Sequence, residues 1–273
     1  KGMKYVLQEL LTSQGSRSIT QLQLQAAANR FLRKLLPANY RLPLRWDSYQ
    51  KADAIIAITS WEALIMRKLF AAPPQRVRVV PNAVEDVFFC RGSKASGDHL
   101  ICVATITERK RVLELAKAAI TAKTPLKVVG KPYSEGDPYF LKFVQAAQAS
   151  QGLVEYLGPI QNPQQLAVNL HAARGFVLLS SMETQSLAAL EAAAVGLPLL
   201  LTDLPWARTT FGSTATYLPL CSGSLLAAHL SRFFTAMPRP RLPLPPPTWK
   251  EVATNLVSIY KAISTQQFVR PPL

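Results

Sequence analysis

Residues 176–198 read FVLLSSMETQSLAALEAAAVGLP, and this stretch decides the fold of the chain. It opens with four consecutive apolar residues, which is typical of a strand buried on both faces of a parallel sheet. A helix is predicted to begin near Ser186, and its small alanine side chains allow close packing on that sheet. The turn Gly196-Leu197-Pro198 then ends the helix and leads into another apolar run.

The same alternation of apolar runs with helical spacing extends in both directions from this stretch. Strands that alternate with helices predict an α/β fold, in which helices cover both faces of a parallel sheet. The predicted strands are Ala54–Thr59, Arg76–Val80, Leu100–Thr105, Leu126–Val129, Val154–Leu157, Phe176–Ser180, Leu197–Thr202 and Thr216–Leu218.

Segments rich in turn residues divide the chain into five parts. The first part contains Ser18–Leu36, a basic amphipathic helix that either packs on a core or lies on a membrane surface. The five parts are a partial amino-terminal region with amphipathic helices (1–85), an interdomain linker (86–98), a ligand-binding sheet domain (99–236), a proline-rich linker (237–248) and a carboxyl-terminal helix (249–264).

The formal net charge is +15, and the basic residues are spread along the chain. Nucleic-acid binders concentrate positive charge on one face, and no motif here supports such a site. A diffuse basic surface suits nucleotide phosphates, and it leaves open a peripheral contact with anionic lipids at the inner face of the membrane.

No apolar run reaches the roughly 18 to 20 residues of a membrane span. The 3 widely spaced cysteines argue against a disulfide framework or zinc site and favour the cytoplasm.

The ends of the predicted strands carry the residues that could bind a ligand, because open parallel sheets bind ligands beyond the carboxyl ends of their strands. The residues found there are the basic turn Glu108–Arg111, the glycines Gly130 and Gly158, and the glutamates Glu183 and Glu191. Amides at a helix start, joined by basic side chains, suit a phosphate, and two carboxylates suit sugar and ribose hydroxyls. Each feature alone is equally compatible with a solvated surface or an ordinary turn.

At these residues the sequence resembles family four of the glycosyltransferases, retaining enzymes of the GT-B fold that use nucleotide-sugar donors. The family's glutamate–seven residues–glutamate motif matches Glu183 and Glu191, and an alanine-rich helix follows as in the family. Lys110 falls at the lysine position of the family's basic phosphate turn. The resemblance covers residues 52–263, and its other segments are Arg78–Val84, Ile106–Arg111, Val128–Gly130, Tyr156–Gly158 and Trp249–Tyr260.

The resemblance implies a Rossmann-like nucleotide-sugar-binding domain of the GT-B type, a partial amino-terminal α/β domain, and a final helix that returns to the amino-terminal region. It implies a retaining transfer from a UDP-, GDP- or ADP-sugar, without a metal ion or other cofactor, to an unidentified glycan or lipid-linked acceptor in surface polysaccharide or glycolipid synthesis. Lys110 and Glu183 would be catalytic: the lysine neutralises the leaving diphosphate and the glutamate orients the sugar. The donor-binding residues would be Glu191 at the ribose, with Ser186, Leu187, Thr105, Arg109, Gly130, Gly158 and Ile160.

The chain departs from the family pattern at three motif positions. Thr105 replaces the phosphate-binding arginine, for which Arg109 or Arg111 could compensate, and Ser186 and Ala83 replace glycines. Residues 1–85 lack the strand–glycine turn–helix units that open the family's acceptor domain, so we expect most of that domain to be missing from this sequence. Two alternatives stay open: a catalytically inactive GT-B-like protein that binds a nucleotide or a partner, and a basic membrane- or nucleic-acid-associated module.

Overall fold

The computed structural model describes residues 49, 51–70, 72–89, 97–236 and 245–268. The predicted amphipathic helix at 18–36 lies outside these residues, as do residues 90–96 and 237–244 of the two predicted linkers. The chain divides into two compact units. One contains residues up to Asn82 together with residues from Lys250 onward, and the other is Ala83–Trp249.

The first unit contains a short parallel β–α–β segment. Strand β1 (Ile55–Ala57) leads through helix α1 (Ser60–Leu69) to strand β2 (Val77–Val79), and the two strands pair in parallel. Thr59 caps α1, because its side chain accepts a hydrogen bond from the Glu62 amide at 3.1 Å. A small apolar cluster holds the segment together and consists of Ile55, Ala57, Ala63, Met66, Ala72 and Val77.

The second unit is built on a six-stranded sheet in which all pairings are parallel. Its strands are β3 (Leu100–Val103), β4 (Leu126–Val129), β5 (Val154–Gly158), β6 (Gly175–Leu178), β7 (Leu199–Thr202) and β8 (Thr216–Leu218). The order across the sheet is β5-β4-β3-β6-β7-β8. Every residue of β6 and β7 is buried, as expected for central strands that are covered on both faces.

Helices connect the consecutive strands of this sheet. They are α2 (Val112–Thr121), α3 (Pro138–Ala149), α4 (Pro163–His171), α5 (Leu187–Val195) and α6 (Pro205–Phe211), and α7 (Gly223–Ala236) follows the last strand. Helix α8 (Trp249–Phe268) belongs to the first unit from Lys250 onward. Local sequence explains several helix ends. Asp137 and Asn162 cap α3 and α4, which both begin with proline. Gly196 ends α5 in the left-handed conformation, with φ 88°.

The predicted α/β fold with a parallel sheet is confirmed. All eight predicted strands are present, and what differs is where they end. The strand predicted at Phe176–Ser180 runs from Gly175 to Leu178, because its pairing with β7 stops at Leu178. Ser180 therefore lies in the loop after β6. Apolar residues mark the presence of a buried strand, whereas the neighbouring strand decides its length.

The predicted domain limits stay a prediction, although parts of the two linkers are structured. In the linker predicted at 86–98, Asp86–Phe89 forms a 3₁₀ turn, and Phe88 is buried in the core of the second unit. Near the end of the proline-rich linker, the Val84 amide donates to the Pro247 carbonyl at 3.0 Å. These contacts tie both segments to the sheet-containing unit.

Candidate functional site

The order of the strands reverses between β3 and β6. From β3 the chain proceeds outward through β4 to β5, whereas β6 lies on the other side of β3 and leads on to β7 and β8. Such a switch point, beyond the carboxyl ends of the two strands, is where open parallel sheets bind ligands. The loop after β3 carries Arg109 and Lys110, and the loop after β6 carries Glu183.

Lys110 and Glu183 form an ion pair at this switch point. The Lys110 ammonium donates to Oε1 of Glu183. Both side chains are largely buried, with 13% of the lysine and 8% of the glutamate side chain exposed. A carboxylate in such a position needs a cation, because an unpaired buried charge is costly. The fold therefore brings together the two residues that were predicted to be catalytic, 73 positions apart in the chain.

Arg109 contacts the other oxygen of the same carboxylate. The arginine Nη1 lies 3.4 Å from Oε2 of Glu183 and donates to the Met182 carbonyl at 2.7 Å. The main-chain carbonyl of Arg109 accepts hydrogen bonds from the Ser181 amide at 2.9 Å and from the Ser181 hydroxyl at 3.2 Å. The turn that carries Arg109 is thus bonded to the loop that carries Glu183. Sequence reasoning missed Ser181 and Met182, since main-chain donors and acceptors occur at every residue.

Helix α5 follows this loop, and Ser186 caps it. The Ser186 hydroxyl accepts a hydrogen bond from the Ala189 amide at 3.3 Å. The serine at the motif's glycine position is therefore used as an N-cap. The first amides of a helix, here including that of Leu187, have no acceptor inside the helix and carry partial positive charge. The start of α5 thus has the properties that a phosphate group requires.

The carboxyl ends of β3, β4 and β5 lie side by side. Gly130 has φ 148°, and a Cβ added to it would lie 1.9 Å from the carbonyl oxygen of Ala104. The Gly130 amide donates to the Gly158 carbonyl at 2.9 Å, and the space beside the α-carbon of Gly158 is open. Thr105 follows Ala104 and is half-buried, and Ile160 packs half-buried against the core. Four predicted donor-binding residues therefore lie along this edge of the sheet.

Glu191 lies one turn into α5 and is half-buried. No hydrogen bond or ion pair of its side chain is found among the residues that the structure describes. Burial, and secondly the negative charge of Glu85, raise the pKa of the Glu191 carboxyl from 4.5 to about 7. No hydrogen bond or ion pair joins Glu191 to the pair formed by Lys110 and Glu183 within the described chain. Its role at the ribose stays a prediction.

The raised pKa of Glu191 makes the stability of the protein depend on pH. Between about pH 4.5 and pH 7 the folded state binds more protons than the unfolded state, so stability falls as the pH rises through this window. Glutamine cannot ionise. We therefore expect Glu191→Gln to raise the free energy of unfolding at pH 8 by on the order of 2 kcal/mol, with little change at pH 5, as measured by urea unfolding.

Glu155→Gln provides the matched control for this experiment. The Glu155 carboxylate is half-exposed and lies 3.3 Å from the Lys127 ammonium, so its removal should not change stability in the same pH-dependent way. If wild-type protein and Glu191→Gln lose stability equally between pH 5 and pH 8, the carboxyl is not held in an unfavourable environment.

Tyr139 lies on α3, and its side chain contacts the start of α2, which the sequence did not reveal. Its hydroxyl accepts a hydrogen bond from the Leu113 amide at 2.9 Å and donates one to Oε2 of Glu114 at 2.7 Å. Burial, followed by the hydrogen bond to Glu114, raises the pKa of Tyr139, so the hydroxyl stays protonated. The Leu113 amide is already bonded, and a phosphate at this turn would depend on the basic side chains. Since Tyr139 is 26 residues from Leu113, no local motif reveals this contact.

The Arg111 side chain bonds to a different loop from the one that carries Glu183. It adopts the left-handed conformation with φ 56°, and its guanidinium donates to the Cys221 carbonyl in the loop after β8. Two arginines were considered as replacements for the arginine that Thr105 displaces. Of these, Arg109 contacts Glu183, and Arg111 has no such contact in the described part of the chain.

Two further properties of the described residues concern metals and membranes. Among them, no group of three or more His, Cys, Asp or Glu side chains is arranged to hold a metal ion. The helices that the structure describes also include none that is long and apolar enough to cross a bilayer. The positive charge at the switch point comes from Arg109 and Lys110.

A comparison with known protein families identifies the second unit. The family model described as "Glycosyl transferases group 1" matches residues 97–234, which is about half of the chain. The chain belongs to this family. The match includes all six strands of the sheet together with Lys110, Glu183 and Glu191. The family expected from the sequence is therefore confirmed.

One curated relative of this group 1 glycosyl transferase comes from Xanthomonas campestris. It is named GDP-mannose:cellobiosyl-diphosphopolyprenol alpha-mannosyltransferase and is 28% identical over 159 residues. The aligned region covers 55% of this chain and 40% of the relative. The chain therefore spans less than half the length of that relative.

Solved structures similar to this group 1 member include two whose similarity covers more than nine-tenths of this chain. Sucrose-phosphate synthase from Thermosynechococcus elongatus has a TM-score of 0.68 at 18% identity, covering 96% of this chain and 66% of that one. Anabaena HepE in complex with UDP and glucose has a TM-score of 0.61 at 13% identity, covering 93% and 76%. At such identities the likeness shows the fold, and the expected GT-B-type α/β fold is confirmed.

Proposed function

We propose that the chain binds a nucleoside-diphosphate sugar and takes part in a retaining transfer of that sugar to a glycan or lipid-linked acceptor. The observation that supports this most is the ion pair between Lys110 and Glu183 at the point where the strand order reverses. In the transfer, the bond from the anomeric carbon to the diphosphate breaks, and a bond to an acceptor oxygen forms. The departing diphosphate takes the electron pair of the broken bond and gains negative charge, while the acceptor hydroxyl releases its proton to the diphosphate or to solvent.

The proposed roles follow from charge and position. Lys110 neutralises the diphosphate as it leaves, and the amides at the start of α5, including that of Leu187, share this task. Glu183 accepts hydrogen bonds from hydroxyls of the donor sugar. Glu191 binds the ribose, and the nucleobase lies near Gly158 and Ile160. No residue is assigned as a covalent nucleophile.

The donor is proposed from the chemistry of the site and from the relatives. The relative from Xanthomonas campestris is named for GDP-mannose, and Anabaena HepE was solved with UDP and glucose. We propose a UDP-, GDP- or ADP-sugar for this chain. We also propose that transfer needs no divalent metal, because Lys110 and the α5 amides already provide positive charge for the diphosphate. Full activity in excess EDTA is the expected result.

The acceptor and the location of the protein are proposed from the name of a relative and from the net charge. The name of the Xanthomonas campestris relative includes a saccharide carried on a polyprenol diphosphate. By analogy we propose a glycan or lipid-linked acceptor, in surface polysaccharide or glycolipid synthesis. The net charge of +15 suits a peripheral contact with anionic lipids at the cytoplasmic face of a membrane.

Calorimetric titration with UDP, GDP and ADP tests the proposal. We expect one of the three to bind with a Kd in the micromolar range and both Lys110→Ala and Glu191→Ala to weaken that binding at least tenfold. Lys117→Ala is the control, since this lysine is exposed on α2. Wild-type protein that binds none of the three nucleotides, or variants that bind as wild type does, would contradict the proposal.

A nucleotide-binding protein of the same fold without catalysis is the second candidate. It is favoured by Thr105, which stands where the family has its phosphate-binding arginine. Incubation with the sugar nucleotide that binds separates the two candidates. An enzyme releases nucleoside diphosphate, by transfer or slow hydrolysis, at a rate that Glu183→Ala abolishes, whereas a binding protein returns the sugar nucleotide intact.

A further inference from the structure

Glu183 is held by two cations, one at each carboxylate oxygen. Lys110 contacts Oε1, and the Arg109 guanidinium lies 3.4 Å from Oε2. We propose that Arg109 is the positioning residue that keeps Glu183 in place for the donor sugar while Lys110 turns to the diphosphate. This inference rests on the proposed function and assigns Arg109 to the sugar end of the donor, not to the phosphate end.

The first argument is that Glu183 lacks support from regular structure. It lies in the loop between β6, which ends at Leu178, and α5, which begins at Leu187. Repeating hydrogen bonds hold the main chain of a strand or helix in place, whereas a loop residue needs specific partners to hold its position. Glu183 finds these partners 73 and 74 residues away, on the turn Glu108–Lys110.

The second argument is that Arg109 is itself anchored. Its carbonyl accepts hydrogen bonds from the amide and the hydroxyl of Ser181, and its Nη1 donates to the Met182 carbonyl. These bonds reach the two residues that directly precede Glu183. Arg109 therefore fixes the main chain of the loop and one oxygen of the carboxylate together, and its planar guanidinium suits such a fixed geometry.

The third argument concerns the charge when a donor binds. An ammonium group has three N–H donors, so Lys110 can turn toward a diphosphate that carries more negative charge than one carboxylate. The ion pair between Glu183 and Lys110 would then be weakened. With Arg109 in place a positive charge remains at Oε2, and the carboxylate keeps its orientation toward the sugar hydroxyls.

These arguments predict that Arg109 affects binding of the sugar part of the donor, whereas Lys110 affects binding of its diphosphate part. Glu183 is proposed to contact the sugar. If its carboxylate is displaced, binding of a sugar nucleotide should therefore weaken more than binding of the matching nucleoside diphosphate. Lys110 acts on the diphosphate, which both ligands contain. A purely structural role of Arg109 would weaken both ligands equally.

Calorimetric titration of the whole chain with a nucleoside diphosphate and its sugar nucleotide tests the inference. For Arg109→Ala we expect about a tenfold weaker Kd for the sugar nucleotide and less than a twofold change for the nucleoside diphosphate. For Arg109→Lys we expect about a threefold effect on the sugar nucleotide, because a charge is kept but the link to the Met182 carbonyl is lost. Lys127→Ala is the control, since that lysine pairs with Glu155 on neighbouring strands.

The outcomes separate the inference from the proposed function. If wild-type protein binds neither ligand, the proposed function fails and the inference fails with it. If wild type binds both and Arg109→Ala weakens both equally, Arg109 is a phosphate ligand or a structural link, and the inference alone is overturned. It is overturned too if Arg109→Ala binds both ligands as wild type does. Thermal unfolding shows whether each variant is folded. If Arg109→Ala is not folded, Arg109→Lys tests the effect of Arg109 on binding of the sugar nucleotide.

Discussion

Lys110→Ala is expected to slow sugar transfer by about 10²- to 10³-fold, the range seen when an enzyme loses one group that stabilises developing negative charge. The lysine lies at the switch point between β3 and β6, and its side chain is 13% exposed. Because the lysine side chain is largely buried, water cannot easily take over its role in stabilising the negative charge. Product formation from the donor that binds, measured at saturating donor, reports the change in kcat.

Two variants sharpen this experiment. Lys117→Ala removes an exposed lysine from α2 and should retain full activity. Lys110→Arg keeps the charge but not the compact ammonium, so partial activity is expected. Lys110→Ala also leaves Glu183 with Arg109 as its neighbouring cation, so thermal unfolding must accompany the assay. Activity of Lys110→Ala within threefold of wild type would rule out a role for this lysine at the leaving group.

Gly130→Ala is expected to destabilise the protein by on the order of 3 kcal/mol. The residue has φ 148°, which side-chain-bearing residues rarely adopt, and the new Cβ would lie 1.9 Å from the Ala104 carbonyl oxygen. The surrounding backbone has little room to move. The Ala104 amide bonds to the Val129 carbonyl, and the Gly130 amide bonds to the Gly158 carbonyl. Urea unfolding measures the shift in midpoint at constant m-value.

Gly158→Ala is the matched control for the substitution at Gly130. It also has a positive φ, of 70°, but an added Cβ meets no atom within 4 Å. Only the cost of the left-handed backbone remains, which is about 1 kcal/mol. Equal destabilisation by the two substitutions would show that backbone strain, and not the collision with Ala104, makes glycine necessary at residue 130.

Much of the fold could be predicted from the sequence, because each strand and helix of the sheet domain has a local signal. The run FVLLS and the alanine-rich segment after Ser186 are examples, and both elements are present. The ends of strands were predicted less well. Leu179 continues the apolar run, yet β6 ends at Leu178, where its pairing with β7 stops. Register is a property of two segments, and one segment alone does not contain it.

The candidate site was predicted in part. Lys110 and Glu183 were named from their motif positions and are in contact. The contacts of Tyr139 with α2 could not be predicted, since a tyrosine on another helix carries no signal for them. The electrostatic surroundings of Glu191 could not be predicted from the sequence either. The motif presents it as a ribose ligand, whereas burial, and secondly the charge of Glu85, raise the pKa of this carboxyl, and both depend on tertiary packing.

The sequence by itself determined which segments become strands and helices, and it supplied the lysine and the glutamates, because periodicity, capping residues and charge are local properties. The tertiary structure alone decided that β6 lies beside β3. That choice places the loops after both strands at one point and turns a lysine and a glutamate 73 residues apart into an ion pair. The physical reason is that strand order results from the packing of all the elements together, and no single segment contains that information.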